Sequence, residues 1–137
     1  MTLTLTDADK ILADNFAPWV IDLGLRIEAA GPEGATLRLP FSARLTRIGG
    51  TLCGQALMAL ADTAMVIAIL AANRGFRPMT TVDQTTHFLK AVASSDVLAD
   101  ARVVRLGRTM SFGRVTLFSA ADNNKPVAMV SSAFAML

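Results

Sequence analysis

The chain has 137 residues, 53% of them hydrophobic and 18% charged, with a net charge of +2. That length suits a single domain, 1–137, with a core that needs no staple, and the near-balanced charge excludes a dominant nucleic-acid footprint. One cysteine, Cys53, excludes an internal disulfide framework and fits a reducing compartment such as the cytoplasm.

So apolar a chain is expected to hide surface in an oligomer as well as in its own core. Its basic residues are ten Arg and three Lys, a mix that suits phosphate or carboxylate contacts but equally an ordinary surface. The N-terminal stretch carries Asp7, Asp9 and Asp14 and no basic region, unlike a signal peptide. Residues 6–17 read as a short amphipathic helix, with Thr6 as cap, Asp7 and Asp9 favouring its dipole, and Ile11, Leu12 and Phe16 apolar. Pro18 ends it. Residues 21–30 and 35–41 read as strands around the turn Gly31-Pro32-Glu33-Gly34, and Pro40 marks an edge or exit.

The glycine-rich stretch 49–54 leads into a long helix over about 53–73, closed by Gly75 and Pro78. Asp62 is the only charged residue between Ile48 and Asn73. The run is long enough to be mistaken for a membrane span, but a central acid together with Gln55 and Thr63 argues against that. It reads instead as a helix at the centre of the fold, with Gln55, Met58/Ala59, Asp62 and Met65/Val66 along one stripe. Everything after Pro78 reads as strand: residues 80–90, 96–106, 109–120 and 126–136. The breaks at 93–96, 106–108 and 122–125 are short, which predicts hairpins and an antiparallel meander. The expected fold is α+β, with a sheet of five to six strands around the long helix.

Carboxylates are rarely buried unless something pairs with them or uses them. Desolvation of Asp62 suits it to base or nucleophile work, while a bond to an Arg across an interface or a solvent-facing position are the plainer readings. Free N–H groups at Gly54 and Gln55, at the helix start, are able to polarise a carbonyl and hold an oxyanion. Cys53 has no recognisable partner base and reads as a packed residue before it reads as a nucleophile. His87, the sole histidine, alternates with Asp83 and Thr85 and reads as surface or interface. With no pair of His or Cys, a conventional zinc site is not expected. Thr80 and Thr81 have hydroxyls that could orient water, and Lys90 and Arg108 are candidate phosphate contacts, against the default of ordinary strand and surface.

The chain resembles the hotdog-fold thioesterases of the phenylacetate-degradation (PaaI-like) type, from about residue 15 to the C-terminus. The resemblance rests on Gly50-Thr51-Leu52-Cys53-Gly54-Gln55 followed by Leu60-Ala61-Asp62-Thr63-Ala64. Thr81-Val82-Asp83, Phe88-Leu89-Lys90-Ala91, Gly107-Arg108 and Val127-Ala128 follow in order. It implies an acyl-CoA thioesterase that needs no cofactor beyond the CoA of its substrate. Asp62 would be nucleophile or general base, Gly54 the carbonyl-polarising N–H, and Thr81, ahead of Thr80, the hydroxyl that positions water. The site would lie between two subunits of a dimer, often paired into a tetramer, with CoA along Lys90 and Arg108.

The family's His in H-G-G is Cys53 here, its second Gly is Gln55, and Arg47 stands where an Asn is common. Gln55 either adds an oxyanion donor or narrows the pocket, and an Arg47–Asp62 pair would lower the acid's pKa. These changes keep two alternatives open. One is a non-catalytic acyl-CoA binding protein, and the other is a hydratase or dehydratase, for which the lone His87 is poorly placed.

Overall fold

The computed structural model describes residues 3–137. The N-terminal helix, α1 (Leu5–Asn15), is capped by Thr4 and not by Thr6. Thr4 Oγ1 accepts from the Asp7 N–H at 3.0 Å while the Asp7 carboxylate accepts from the Thr4 N–H at 3.1 Å. This reciprocal box satisfies two backbone donors at once, leaving Thr6 within the first turn. Pro18 does more than end α1. It opens a one-turn helix, α2 (Pro18–Ile21), where its missing N–H is no loss. The strand expected from residue 21 therefore begins only at Arg26, after Gly24 turns the chain with φ +72°.

Six strands follow the order β1-β2-β4-β5-β6-β3, every neighbouring pair antiparallel. They are β1 (Arg26–Gly31), β2 (Gly34–Leu39), β3 (Met79–Phe88), β4 (Val97–Arg105), β5 (Met110–Ser119) and β6 (Asp122–Met136). The expected meander holds for β4-β5-β6, but the break at 93–96 is not a hairpin. Because the long helix α3 (Gly54–Asn73) crosses the sheet between β2 and β3, β3 enters at the far edge beside β6. The chain then returns past the start of α3, tied down by the Leu52 N–H to Val92 O bond of 2.8 Å, and β4 pairs with β2. The last hairpin also turns earlier than expected, at Ala120–Ala121. Residues 122–125 belong to β6, and Pro126 is accommodated where the register with Phe118 is irregular.

α3 supplies most of the core. Twelve of its twenty residues are buried, among them Leu60, Ile67, Ile69 and Leu70. Each of these large side chains contributes about 1.5–3 kcal/mol over an exposed position. Alanines at 56, 61, 64, 68 and 71 keep its buried faces narrow. At Gly113 of β5 a Cβ would fall 2.1 Å from the Met65 sulfur, so glycine is what lets Met65 seat against the sheet. Met65 is therefore core, and the accessible stripe of α3 is Gln55, Met58, Ala59, Asp62 and Val66. The helix is long and apolar enough to cross a membrane by composition, yet 67% of its apolar window is buried inside the fold.

Candidate active site

The face of β3 turned toward α3 follows from its pairing with β6. Buried Met136, Phe134, Ser132, Val130 and Ala128 oppose Met79, Thr81, Gln84, Thr86 and Phe88. The spacing within that row is not uniform, because a bulge at Val82 shifts the register between Thr81 and Asp83. Strict alternation from Gln84, Thr86 and Phe88 would turn Thr81 outward with Asp83, Thr85 and His87. The extra residue reverses it, as bulges do when they re-aim a side chain.

Three residues of this row then meet three positions of α3. Thr81 Oγ1 donates to Asp62 Oδ1 at 2.9 Å. Gln84 Nε2 donates to Met58 O at 3.2 Å, and the Phe88 ring lies over Gly54. Among the described residues Asp62 has no basic partner. Burial pushes its carboxyl above the ordinary carboxylate range, and the Thr81 hydrogen bond opposes that shift without cancelling it. The Arg47–Asp62 pair that the sequence allows is not formed within the chain. Arg47 is exposed in the turn before α3, where its own N–H bonds Thr51 O at 2.9 Å.

Asp62 and Thr81 are shared by two cavities. One, of about 370 Å³, runs from them along Val66 and Leu70 toward Phe76, Arg77 and Met79, with Thr80, Ile11 and Phe16 in its walls. The other, of about 350 Å³, lies toward the helix start and is lined by Gln55, Met58, Gln84, Phe16 and Trp19. Gln55 thus reaches the same cavity as Asp62, on the stripe expected of it.

At the other end, α3 begins at Gly54 with no side chain capping it. A cleft of about 380 Å³ there is lined by Gly54, Arg47, Thr51, Phe88 and Lys90. A Cβ on Gly54 would approach the Phe88 ring to 3.1 Å, a contact that only a small shift of that half-exposed ring would relieve. Cys53, the N-cap residue, packs against the core with a free thiol. Arg108 is not brought to Lys90 within the chain. It sits by the start of β3, where Arg77 bonds its carbonyl, while Lys90 follows the end of β3, about 30 Å away at 3.3 Å per residue. His87 is exposed on the outer face of β3.

Residues that the sequence pattern did not single out complete the surroundings of Asp62: Gln84, Trp19 and Arg77. Only Trp19 carried a signal, as a large aromatic just after a helix-ending proline.

A family model described as the thioesterase superfamily matches residues 42–124. A protein of Halobacterium salinarum, provisionally named an esterase, is 32% identical over 110 residues, covering 73% of this chain and 69% of its own. The structure of a conserved protein of Pseudomonas aeruginosa superposes with a TM-score of 0.81 at 30% identity, over 89% of this chain and 95% of that one. Zebra fish thioesterase superfamily member 2 superposes with a TM-score of 0.86 at 27% identity, over 99% of this chain and all of that one.

Proposed function

Because the chain belongs to the thioesterase superfamily, we propose that it hydrolyses an acyl-CoA thioester to the free acid and CoA, at a site shared by two subunits. The observation that carries this reading is the Asp62 carboxyl, half-buried, bonded by Thr81 and open to two cavities. A carboxylate so desolvated is a stronger base and nucleophile than one in water.

The sharing of the site follows from helix geometry. Gly54 and Asp62 are eight residues apart on one straight helix, hence about 12 Å apart along its axis. No single thioester carbonyl can touch both. A two-fold axis passing near Met58, midway between them, brings Gly54 of the partner subunit opposite Asp62. Gln84, bonded to Met58 O, stands near the middle of β3, so the same axis sets two β3 edges antiparallel. The free edge of β3 supports this, being ten residues long, with Val82 and Phe88 more than half exposed. Such an edge invites pairing. The same operation carries Lys90 of the partner subunit toward Arg108, assembling cations for the CoA phosphates from both chains. The resemblance extends the proposal to a dimer of dimers, and the single cysteine extends it to the cytoplasm.

In the reaction, the thioester carbonyl lies against the partner's Gly54 N–H, with the Gln55 N–H as a second donor. Asp62 either attacks the carbonyl carbon, giving a mixed anhydride that water then opens, or takes a proton from water as that water attacks. In both routes the C–S bond breaks, water supplies the hydroxyl of the acid, and its proton goes to the CoA thiolate. Thr81 keeps one carboxylate oxygen fixed so that the other faces the substrate. Cys53 supplies no imidazole, so leaving-group protonation falls to Asp62 or solvent.

Free-thiol release from a panel of aryl, short-chain and medium-chain acyl-CoAs tests the reading. Turnover that Asp62→Asn abolishes is the expected result. Binding by calorimetry without release would favour a non-catalytic binding protein, and hydration of an enoyl-CoA would favour a hydratase.

A further inference from the structure

We propose that Arg77 reads an anionic group at the far end of the acyl chain, so that the preferred substrates are thioesters of ω-carboxy acids. This rests on the thioesterase reading above and adds the substrate class. The cavity that leaves Asp62 toward the C-terminal end of α3 is not uniformly apolar. Ile11, Phe16, Val66, Leu70 and Phe134 line it, and so do Asn15, Thr80 and Arg77. From Asp62 to Leu70 is again eight residues, so the wall that α3 gives this cavity is about 12 Å long. Its volume of about 370 Å³ falls within the range of small-ligand sites.

Arg77 is poorly matched by the protein itself. Among the described residues no carboxylate lies within ion-pair distance of it. Its hydrogen bonds go to two backbone carbonyls of the β4–β5 hairpin, Gly107 O at 3.4 Å and Arg108 O. A guanidinium has five N–H donors, so at least three stay unassigned on a group that is half-buried and lines a cavity. The two carbonyls also fix the plane of the fork, which is what bidentate carboxylate recognition requires. Asn15 Nδ2, on the same wall, bonds Ile11 O at 3.0 Å with one N–H and keeps the other. A cleft that offers apolar side chains along α3 and a guanidinium with spare donors accepts an apolar chain that ends in the opposite charge. A plain alkyl chain of the same length leaves Arg77 desolvated and unpaired, which is the costlier outcome.

The test compares kcat/KM for suberyl-CoA with octanoyl-CoA, and for adipyl-CoA with hexanoyl-CoA. The wild type should favour the carboxylated member of each pair by about tenfold or more. Arg77→Met should erase that preference with octanoyl-CoA turnover nearly unchanged, and Arg77→Lys should restore part of it. An octanoyl preference in the wild type overturns the proposal. So does an equal rise in KM for every ester in Arg77→Met, which would make Arg77 a contact to CoA. Because Arg77 also holds the hairpin, competitive inhibition of the wild type by free suberate, stronger than by free octanoate, is expected without any variant. Equal inhibition by the two acids also overturns it. If no thioester is turned over, the thioesterase reading fails by itself. Calorimetric binding of suberate to the wild type and not to Arg77→Met then still decides the role of Arg77.

Discussion

At the Asp62 end of the seam between α3 and β3 the side chains close on one another, while at the Gly54 end they stand open. Asp62 is half-buried and bonded by Thr81 across a gap that a bulge has adjusted. Gly54 has an uncapped helix start, two exposed cations nearby and a ring that covers it loosely. The contrast with α1 sharpens this, since that helix satisfies its first donors with a complete capping box. One end of the seam supplies a reactive anion and the other supplies donors for an anion yet to form. They are complementary halves, kept about 12 Å apart by the helix that carries both.

The comparison breaks most severely if the anion is removed. Asp62→Asn should lower kcat by about 10²-fold or more, a loss of several kcal/mol of transition-state stabilisation. Unchanged turnover would remove Asp62 from the chemistry. Gly54→Pro attacks the other half. Gly54 is the first helical residue and Cys53 before it is extended (φ −71°, ψ 150°), so the backbone accepts a proline that deletes the N–H, with a small shift of the Phe88 ring that its Cβ would meet at 3.1 Å. A loss of about 10²-fold in kcat with a folded circular-dichroism spectrum is expected, the usual scale for an oxyanion donor.

Mixing the two inactive variants tests the sharing itself. Refolded together, they should recover about a quarter of wild-type activity, because half the dimers are mixed and each holds one intact site. No recovery from mixed dimers, verified by differential tagging, would place the whole site in one chain.

Thr81→Val should cost about tenfold in kcat, in line with a lost hydrogen bond to a charged group. It also removes what holds the Asp62 pKa down, so the acidic limb of the pH–rate profile should move to higher pH. The smallest effect is on stability. Burial raises the folded pKa of Asp62 above its unfolded value, so its charge opposes folding. That penalty is absent below the unfolded pKa, grows as pH rises, and is complete above the folded pKa. Asp62→Asn should therefore melt higher than wild type at neutral pH, and the gain should vanish toward pH 3. A gain that persists there would point to a cause other than charge.

Much of this was legible beforehand at particular residues. Asp62 stood out because one charge in an apolar run is conspicuous whatever the fold. Gly54 stood out because a glycine-rich approach to a helix leaves backbone donors bare. The order of the strands was not legible, since the short break at 93–96 is as compatible with a hairpin as with a return past the helix. The facing of Thr81 was not legible either. Alternation turns it away from Asp62, and only the mismatch between β3 and β6 at Val82 turns it back.

By itself the sequence determined the long central helix, the strand-rich remainder and the pair of helix positions that bear chemistry. Those follow from local periodicity and from the cost of burying a charge, which need no knowledge of distant neighbours. Only the tertiary structure decided that β3 lies at an open edge, that a bulge places a hydroxyl on Asp62, and that Arg77 lines the cavity beside it. These depend on which strands pair and in what register, a choice made by the whole core at once and by no segment alone.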